Sequence, residues 1–446
     1  MAANSSGGPR LRTAIVLFTR DLRVSDNPAL DLACQLAEHV VPVFVVHEGL
    51  GFAVPNRVRF LHDCLADLRD SLRRLGGDLV IRRGDPVAEV LRLADESGAD
   101  GLVLARDVSA YARRRWERLQ EGCAQRRIAL HAVDSVTIVA PGALTPGGGD
   151  HFKVFTPYWR GWSGRRWRDQ APVPPRISLP TGISVGAVPT ATSMSGPAAA
   201  RLPRGGEGAA RQRMEKWLSG GLADYDARHD DLAGDATSRL SADLHFGCLS
   251  PVELARRAGE AGGDGAEAFV RQLCWRDFHA QVAWAFGDLP RRDYRPRRGG
   301  WREDPDGLAA WKAGQTGVPI VDAGMRQLAT EGFMHNRARM VVASFLTKHL
   351  SIHWTAGAGH FFDLLVDGDI ANNAGNWQWV AGTGNDTRPN RRLSPLRQAQ
   401  RFDQGGEYVR RYVPELAGIA GGAVHAPWKL ERPPRGYPAP LIDPEG

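Results

Sequence analysis

Cysteine is scarce in this chain of 446 residues: there are five, Cys34, Cys64, Cys123, Cys248 and Cys274, scattered and without a CxxC pair. No histidine cluster has metal-ligand spacing either, so reduced thiols and no structural zinc are expected. No apolar run reaches the roughly 20 residues needed to cross a bilayer. The opening MAANSSGGPR lacks the apolar core of a signal peptide. A cytoplasmic monomer without a membrane segment is the expectation. No GxGxxG follows the first apolar run, so the dinucleotide fingerprint is missing. Lysine is sparse as well. The net charge of +7 is almost all arginine, and the pI is near 9.4. Such a surplus suits a polyanionic partner, and it also arises from a GC-rich genome.

The rest of the composition, 43% hydrophobic and 24% charged, is that of an ordinary globular protein with room for two or three domains. Short β-branched runs occur at 13–18, 40–46, 79–82, 101–105 and 128–133. Helical patterns separate them: one opened by Asn27-Pro28, one over 57–75, one started by Pro86 and one over 108–126. This alternation predicts a doubly wound parallel α/β domain over 1–135, with any ligand outside the carboxyl ends of the strands. Residues 136–210 form a connector rich in Gly, Pro, Ser and Arg, in which FKVFTPYWRGW (152–162) is expected to pack through its aromatics. From 211 to 446 strand signals vanish and an all-helical domain is expected. There Ser250-Pro251-Val252-Glu253 reads as a capping box. A Pro-rich tail follows Trp428. Twelve of the thirteen tryptophans lie beyond residue 150, so the two halves differ in task.

The stretch 332–379 is the richest in chemistry. Met334, Met340, Val341, Phe345 and Leu346 recur at helical spacing, and Asn336, Met340 and Ser344 share a semi-polar face. A short helix over about 358–366 leads into Asp367-Gly368-Asp369-Ile370-Ala371-Asn372-Asn373, then Trp377 and Trp379. At 3.6 residues per turn, positions two apart point about 200° apart, so the two indoles face different neighbours. Carboxylates and amides at this density are costly to bury without a partner. They suit a pocket for a flat aromatic ligand with polar edges. Upstream, Thr237-Ser238-Arg239-Leu240-Ser241 suits a phosphate at a helix start; an N-cap beside a surface arginine is the other reading.

Taken together, FTRDLRVSDNPAL (18–30), TSRLS (237–241), HFGCLSP (245–251), CWRDF (274–278), GVPIVDAGMRQL (317–328), MHNRARM (334–340), DGDIANNAGNWQW (367–379) and FDQGGEYVRRYVPEL (402–416) resemble, in order and spacing, the photolyase/cryptochrome family. The resemblance covers nearly the whole chain. It implies an α/β antenna domain, a long linker and a helical domain that buries a U-shaped FAD.

By that resemblance, Tyr225 and Thr237, Ser238, Arg239, Leu240 and Ser241 contact the FAD phosphates. Arg276, Asn336, Arg337, Asp367 and Asp369 surround the isoalloxazine and ribityl, and Asn373 faces flavin N5. A neutral amide there accepts from a protonated N5 without setting a charge beside the reduced flavin. Trp377, Trp354 and Trp301 match the relay that carries electrons from the surface to the flavin, although Trp301 also reads as a surface anchor. Gln272, Trp275, Asn336, Met340 and Trp379 match the pocket for a flipped-out pyrimidine dimer, where stacking returns roughly 1–3 kcal/mol per base. Arg391, Arg392 and Arg397, with Arg291 to Arg298, are expected to hold DNA phosphates. No metal ligands are expected.

The implied function is light-dependent splitting of cyclobutane pyrimidine dimers in UV-damaged DNA by electron transfer from excited reduced FAD, a carbon–carbon lyase activity. A blue-light photoreceptor and a (6-4) photolyase are the alternatives. Gln272 stands where the cyclobutane-dimer branch tends to carry Glu. Asn336 and Met340 replace the paired histidines of the (6-4) branch, His349 stands where relatives often have Asp, and Arg391–Pro395 is shortened. An antenna chromophore is expected in the α/β domain, deazaflavin in preference to folate, with Arg106 and Asp107 either lining it or serving as loop charges.

Overall fold

The protein is described by a computed structural model over residues 11–47, 54–190, 197–297, 299–385 and 387–443. The reading of Met1–Arg10 as lacking a signal core, and the phosphate role of Arg298, lie outside the described residues. Five strands, β1 (Leu11–Leu17), β2 (Ala37–Val46), β3 (Val80–Arg83), β4 (Gly101–Ala105) and β5 (Ala129–Val133), form one parallel sheet in the order β3-β2-β1-β4-β5. The helices that wind it are α1 (Pro28–Leu36), α2 (Pro55–Arg74), α3 (Pro86–Ser97) and α4 (Ala110–Arg126). Their starts follow local chemistry. Asn27 and Asp85 accept two backbone N–H groups each, and Pro occupies the next position. The strand order reverses between β1 and β4, which opens a crevice at their carboxyl ends.

The first part of the connector is pinned to the helical half through Asp277. Ile138 N and Val139 N each donate to Asp277 Oδ2 at 2.9 Å, and Trp162 Nε1 donates to the same oxygen at 3.0 Å. The aromatic segment folds as α5 (Phe155–Ser163), which buries Phe155, Tyr158 and Trp162. Beyond it the chain lies along the α/β domain, with Ile177 N bonded to Leu75 O at 2.7 Å and Ile81 N to Val185 O at 2.8 Å.

The helical half begins with α6 (Glu207–Lys216), α7 (Tyr225–Arg228), α8 (Ser241–Phe246), α9 (Pro251–Ala261) and α10 (Gly263–Ala285). It continues with α11 (Pro305–Ala313), α12 (Pro319–Glu331), α13 (Asn336–Ser344) and α14 (Trp354–Leu364). The last three are α15 (Ile370–Ala381), α16 (Pro395–Phe402) and α17 (Glu407–Tyr412). Among the described residues no helix is long and apolar enough to cross a membrane, and no cluster of candidate metal ligands occurs.

Local details differ from expectation for identifiable reasons. Ser250 Oγ caps Glu253 N, but the Glu253 carboxylate turns to Arg211 instead of closing the box. The helix after Gly332 starts only at Asn336, capped by His335, and widens into a π turn over Phe345–His349. The next helix begins at Trp354, ahead of the expected 358, because His353 Nδ1 caps Thr355 N.

Candidate functional site

A cavity of about 280 Å³ opens in the helical half, walled by α8, α10, α13, α14 and α15. The elements that build it owe their approach to small residues. At Gly375 a Cβ would come within 2.2 Å of His279 Nδ1, and at Gly357 within 2.2 Å of the Trp377 ring. Side chains at these two positions would push α15 away from α10 and α14. Asp369 caps α15, accepting from Asn372 N at 2.8 Å and from Asn372 Nδ2 at 2.9 Å. The αL residue Gly382 closes the helix.

Many of the expected residues converge here. Tyr225, Ser238, Ser241, Gln272, Arg276, Asn336, Met340, Asp367, Asp369, Asn373 and Trp377 all line the cavity. Gln272, Asn336 and Asn376 are exposed at its mouth, whereas Trp377 is buried in its wall. The amide of Asn373 is oriented by its surroundings. Its Nδ2 donates to Ala358 O at 2.9 Å, so Oδ1 is the end left for the cavity. The α13 stripe Asn336, Arg339, Met340 and Ala343 follows the spacing i, i+3, i+4, i+7 of one helix face. Ser344 lies off that stripe, and its Oγ accepts from Leu393 N at 3.1 Å.

Charge at the inner wall is organised around Asp369. Arg20, from the loop after β1, forms an ion pair with it, reaches Asp107 Oδ1 at 3.1 Å and donates from Nε to His245 O at 3.1 Å. His245 Nδ1 lies 3.7 Å from Asp369 Oδ2. Burial alone would raise the Asp369 pKa. The charges of Arg20, His245 and Arg276 overcome this and hold the carboxyl well below its usual range. Asp107 is therefore part of an interdomain ion-pair chain, and Arg106 lies 3.6 Å from Asp134.

Several expected residues are placed elsewhere. Arg337 does not line the cavity; it grips Asp230, with Nε–Oδ1 at 3.0 Å, and stacks over Phe402. Arg339 takes the position instead, with Nη2 at 3.1 Å from Asp367 Oδ2. Arg239 is held by Asp235 at 2.5 Å and Glu331 at 2.9 Å, so two carboxylates already compensate its charge. Leu240 is buried beside it, and the buried Thr237 Oγ1 has no hydrogen-bond partner among the described residues. The hydroxyls of this segment, not its guanidinium, are what remain to meet a phosphate. Trp275 and Trp379 do not line the cavity. Trp275 stacks face to face on Phe155, with ring centroids 3.7 Å apart, and Trp379 is half-buried against the core.

Trp377 lies against α14 at Gly357, one turn from the fully buried Trp354. Trp354 is joined to Trp301 through the His353 ring, with centroid separations of 5.8 and 4.9 Å. Arg391, Arg392 and Arg397 are exposed. His349 tethers their segment, with Nε2 2.9 Å from Leu393 O and Nδ1 3.0 Å from Arg392 Nη2. Reading by motif missed Arg20, His245, Arg339, Asn372 and Asn376. Arg339 had a visible signal, since it shares a helix face with Asn336 and Met340, and Asn372 stood within the polar run 367–373 without a role of its own.

The chemistry fits a flavin dinucleotide. Hydroxyls stand at one end, two guanidinium–carboxylate pairs in the middle and an amide oxygen against the wall, and Thr237 Oγ1 is an unmet buried donor. Residues 269–446 match the family described as FAD binding domain of DNA photolyase, and residues 14–176 match DNA photolyase. The chain is 53% identical to the deoxyribodipyrimidine photo-lyase of Streptomyces griseus, across 97% of each chain. It is 33% identical to cryptochrome DASH of Danio rerio, across 97% of this chain and 90% of that one. It superposes on the crystal structure of a class III photolyase from Agrobacterium tumefaciens with a TM-score of 0.90 and 32% identity, covering 99% of this chain and 96% of that one. Likeness at this level from end to end means that the chain belongs to the DNA photolyase family and carries that family's FAD-binding domain.

Proposed function

We propose that the protein is a deoxyribodipyrimidine photo-lyase that splits cyclobutane pyrimidine dimers extruded from DNA into the mouth of the cavity. The observation that carries the reading is the fixed orientation of Asn373, whose neutral oxygen is presented to the cavity. Bound FAD, photoexcited in its reduced form, supplies the electron that opens the dimer and takes it back. The chain does the rest. Tyr225, Thr237, Ser238 and Ser241 hold the phosphates, and Arg276, Arg339, Asp367 and Asp369 position the ring system and its linker. Gln272, Asn336 and Met340 form the lesion-facing rim, with Trp275 and Trp379 offering stacking surface beyond it. Arg392 and Arg397 meet the DNA backbone. Trp377, Trp354 and Trp301 form the route by which the flavin is recharged.

An antenna chromophore belongs in the α/β domain, and deazaflavin is our assignment in preference to folate. Thr19 Oγ1, Asp21 Oδ2 and Arg115 Nε are buried there without hydrogen-bond partners among the described residues. Arg115 lies over Tyr111, whose ring stacks with His47. An absorption spectrum of the purified protein tests this directly: a second visible band beside that of flavin is expected.

The decisive assay gives the protein a dimer-containing oligonucleotide under blue light with a reductant, and a (6-4) lesion in parallel. Repair of the cyclobutane dimer alone, and only in light, is the expected result. Repair of the (6-4) lesion alone would reassign the Gln272 pocket. Photoreduction without any repair would turn the reading to a photoreceptor.

A further inference from the structure

We propose that Asp293 accepts the indole proton of Trp354, so that the positive charge created by flavin photoreduction is discharged at the middle of the tryptophan route and not at its outer end. The inference rests on the relay reading above. Its basis is a contrast between two indoles.

Trp354 is fully buried, and its Nε1–H donates to Asp293 Oδ1 at 2.7 Å, the length of a charge-assisted hydrogen bond. Among the described residues Asp293 has no cation within ion-pair distance, so its charge is directed at the indole. Trp301 has the opposite environment. The Arg297 guanidinium sits over its ring, 4.4 Å from the centroid. A carboxylate on the N–H edge stabilises a positive indole, whereas a guanidinium on the ring face opposes one. Passage of the charge outward from Trp354, across His353, to Trp301 therefore runs against the local field.

The step balances as follows. Trp377 gives one electron to the photoexcited flavin and is refilled by one electron from Trp354. An oxidised indole is a far stronger acid than indole itself. Its Nε1–H bond breaks along the existing hydrogen bond, and the proton goes to Asp293 Oδ1. A neutral indolyl radical and a carboxylic acid remain. Asp293 is half-buried, so it can pass the proton to solvent. A soluble thiol reductant then gives up one electron, which reaches the buried Trp354 through the outer end of the route, and a proton from solvent returns to Nε1 through Asp293. The thiol leaves as a thiyl radical and a proton. Losing the proton blocks the back-transfer that would otherwise cancel the photoreduction.

The test is flash photolysis of the FAD-loaded full chain, following the indole radical by its visible absorption in H2O and D2O. Asp293→Asn keeps a hydrogen-bond acceptor but removes the charge. It is expected to delay the neutral radical at least tenfold and to shorten the lifetime of the separated charges. Asp293→Glu is expected to restore both. Retained FAD and an unchanged melting temperature show that the variants are folded. Deprotonation as fast in Asp293→Asn as in the parent, or a delay that Asp293→Glu does not reverse, overturns the proposal. The relay reading fails separately, if Trp377→Phe and Trp354→Phe photoreduce like the parent.

Discussion

Asn373 differs from aspartate only by an amide nitrogen in place of one oxygen, and that exchange decides the charge presented to the cavity. Because Nδ2 is committed to Ala358 O, an aspartate would turn a carboxylate oxygen both toward that carbonyl and toward the cavity. Asn373→Asp should therefore retain FAD but lower light-driven dimer repair by about tenfold or more, measured with a dimer-containing oligonucleotide. Buried histidines contribute to the response to acid, and so does the partly buried His360, which desolvation lowers to about 4. Burial pushes His279 and His335 down to about 4. The unfolded chain, with histidines near 6.5, binds protons first, so stability is lost as pH falls from about 6.5 toward 4. His335 adds to this because Nδ1 caps α13 through Arg337 N, and a protonated ring cannot accept. Asp277 acts in the opposite sense. Burial raises it to about 6, so its contribution is present below the unfolded carboxylate value and is lost as pH rises through 6. His279→Gln removes one of the depressed histidines, so the melting temperature of that variant should fall less than the parent's between about pH 6.5 and 4. Asn373, Asp367 and Asp369 were legible in the sequence because their neighbours form a dense motif. Asp293 was not, since its partner Trp354 is 61 positions away.

At the scale of the element, the phase of a helix decided what the sequence left open. Arg337 and Arg339 are two positions apart, so only one of them can share the face of Asn336 and Met340. The semi-polar stripe was recognisable, but the motif drew attention to Arg337, whereas Arg339 is the one that lines the cavity. The starts of α1, α3 and α9 were legible to the residue, because Asn27, Asp85 and Ser250 cap them and Pro follows. The starts of α13 and α14 were not, because histidine is an unusual cap and its Nδ1 acts here as the acceptor. Close packing of α14 on α15 gives a further test. Gly357→Ala would place a methyl group 2.2 Å from the Trp377 ring. Overpacking of this kind costs about 1–3 kcal/mol, to be read from denaturant melts, and the displaced indole should slow flavin photoreduction.

For the whole molecule, alternating strands and helices made the α/β class and the helical half readable, while the strand order and the way the halves meet were not. Contacts across that junction depend on residues far apart in the chain, such as Arg20 with Asp369, 349 positions apart. A net charge of +7 that is mostly arginine predicts DNA affinity falling steeply with salt. Arg392→Ala and Arg397→Ala should each lower the slope of log K against log salt by about one, in fluorescence anisotropy titrations. Arg20→Met should weaken FAD retention about tenfold in equilibrium dialysis, because Asp369 loses its main counter-charge. Asp369→Asn in the same chain should recover part of the loss. The consequence reaches beyond point substitutions. A sheet domain that reaches across to neutralise a carboxylate in its neighbour is not a detachable accessory. Chimaeras that graft a foreign amino-terminal half lacking arginine at that place should emerge pale, however well each half folds by itself.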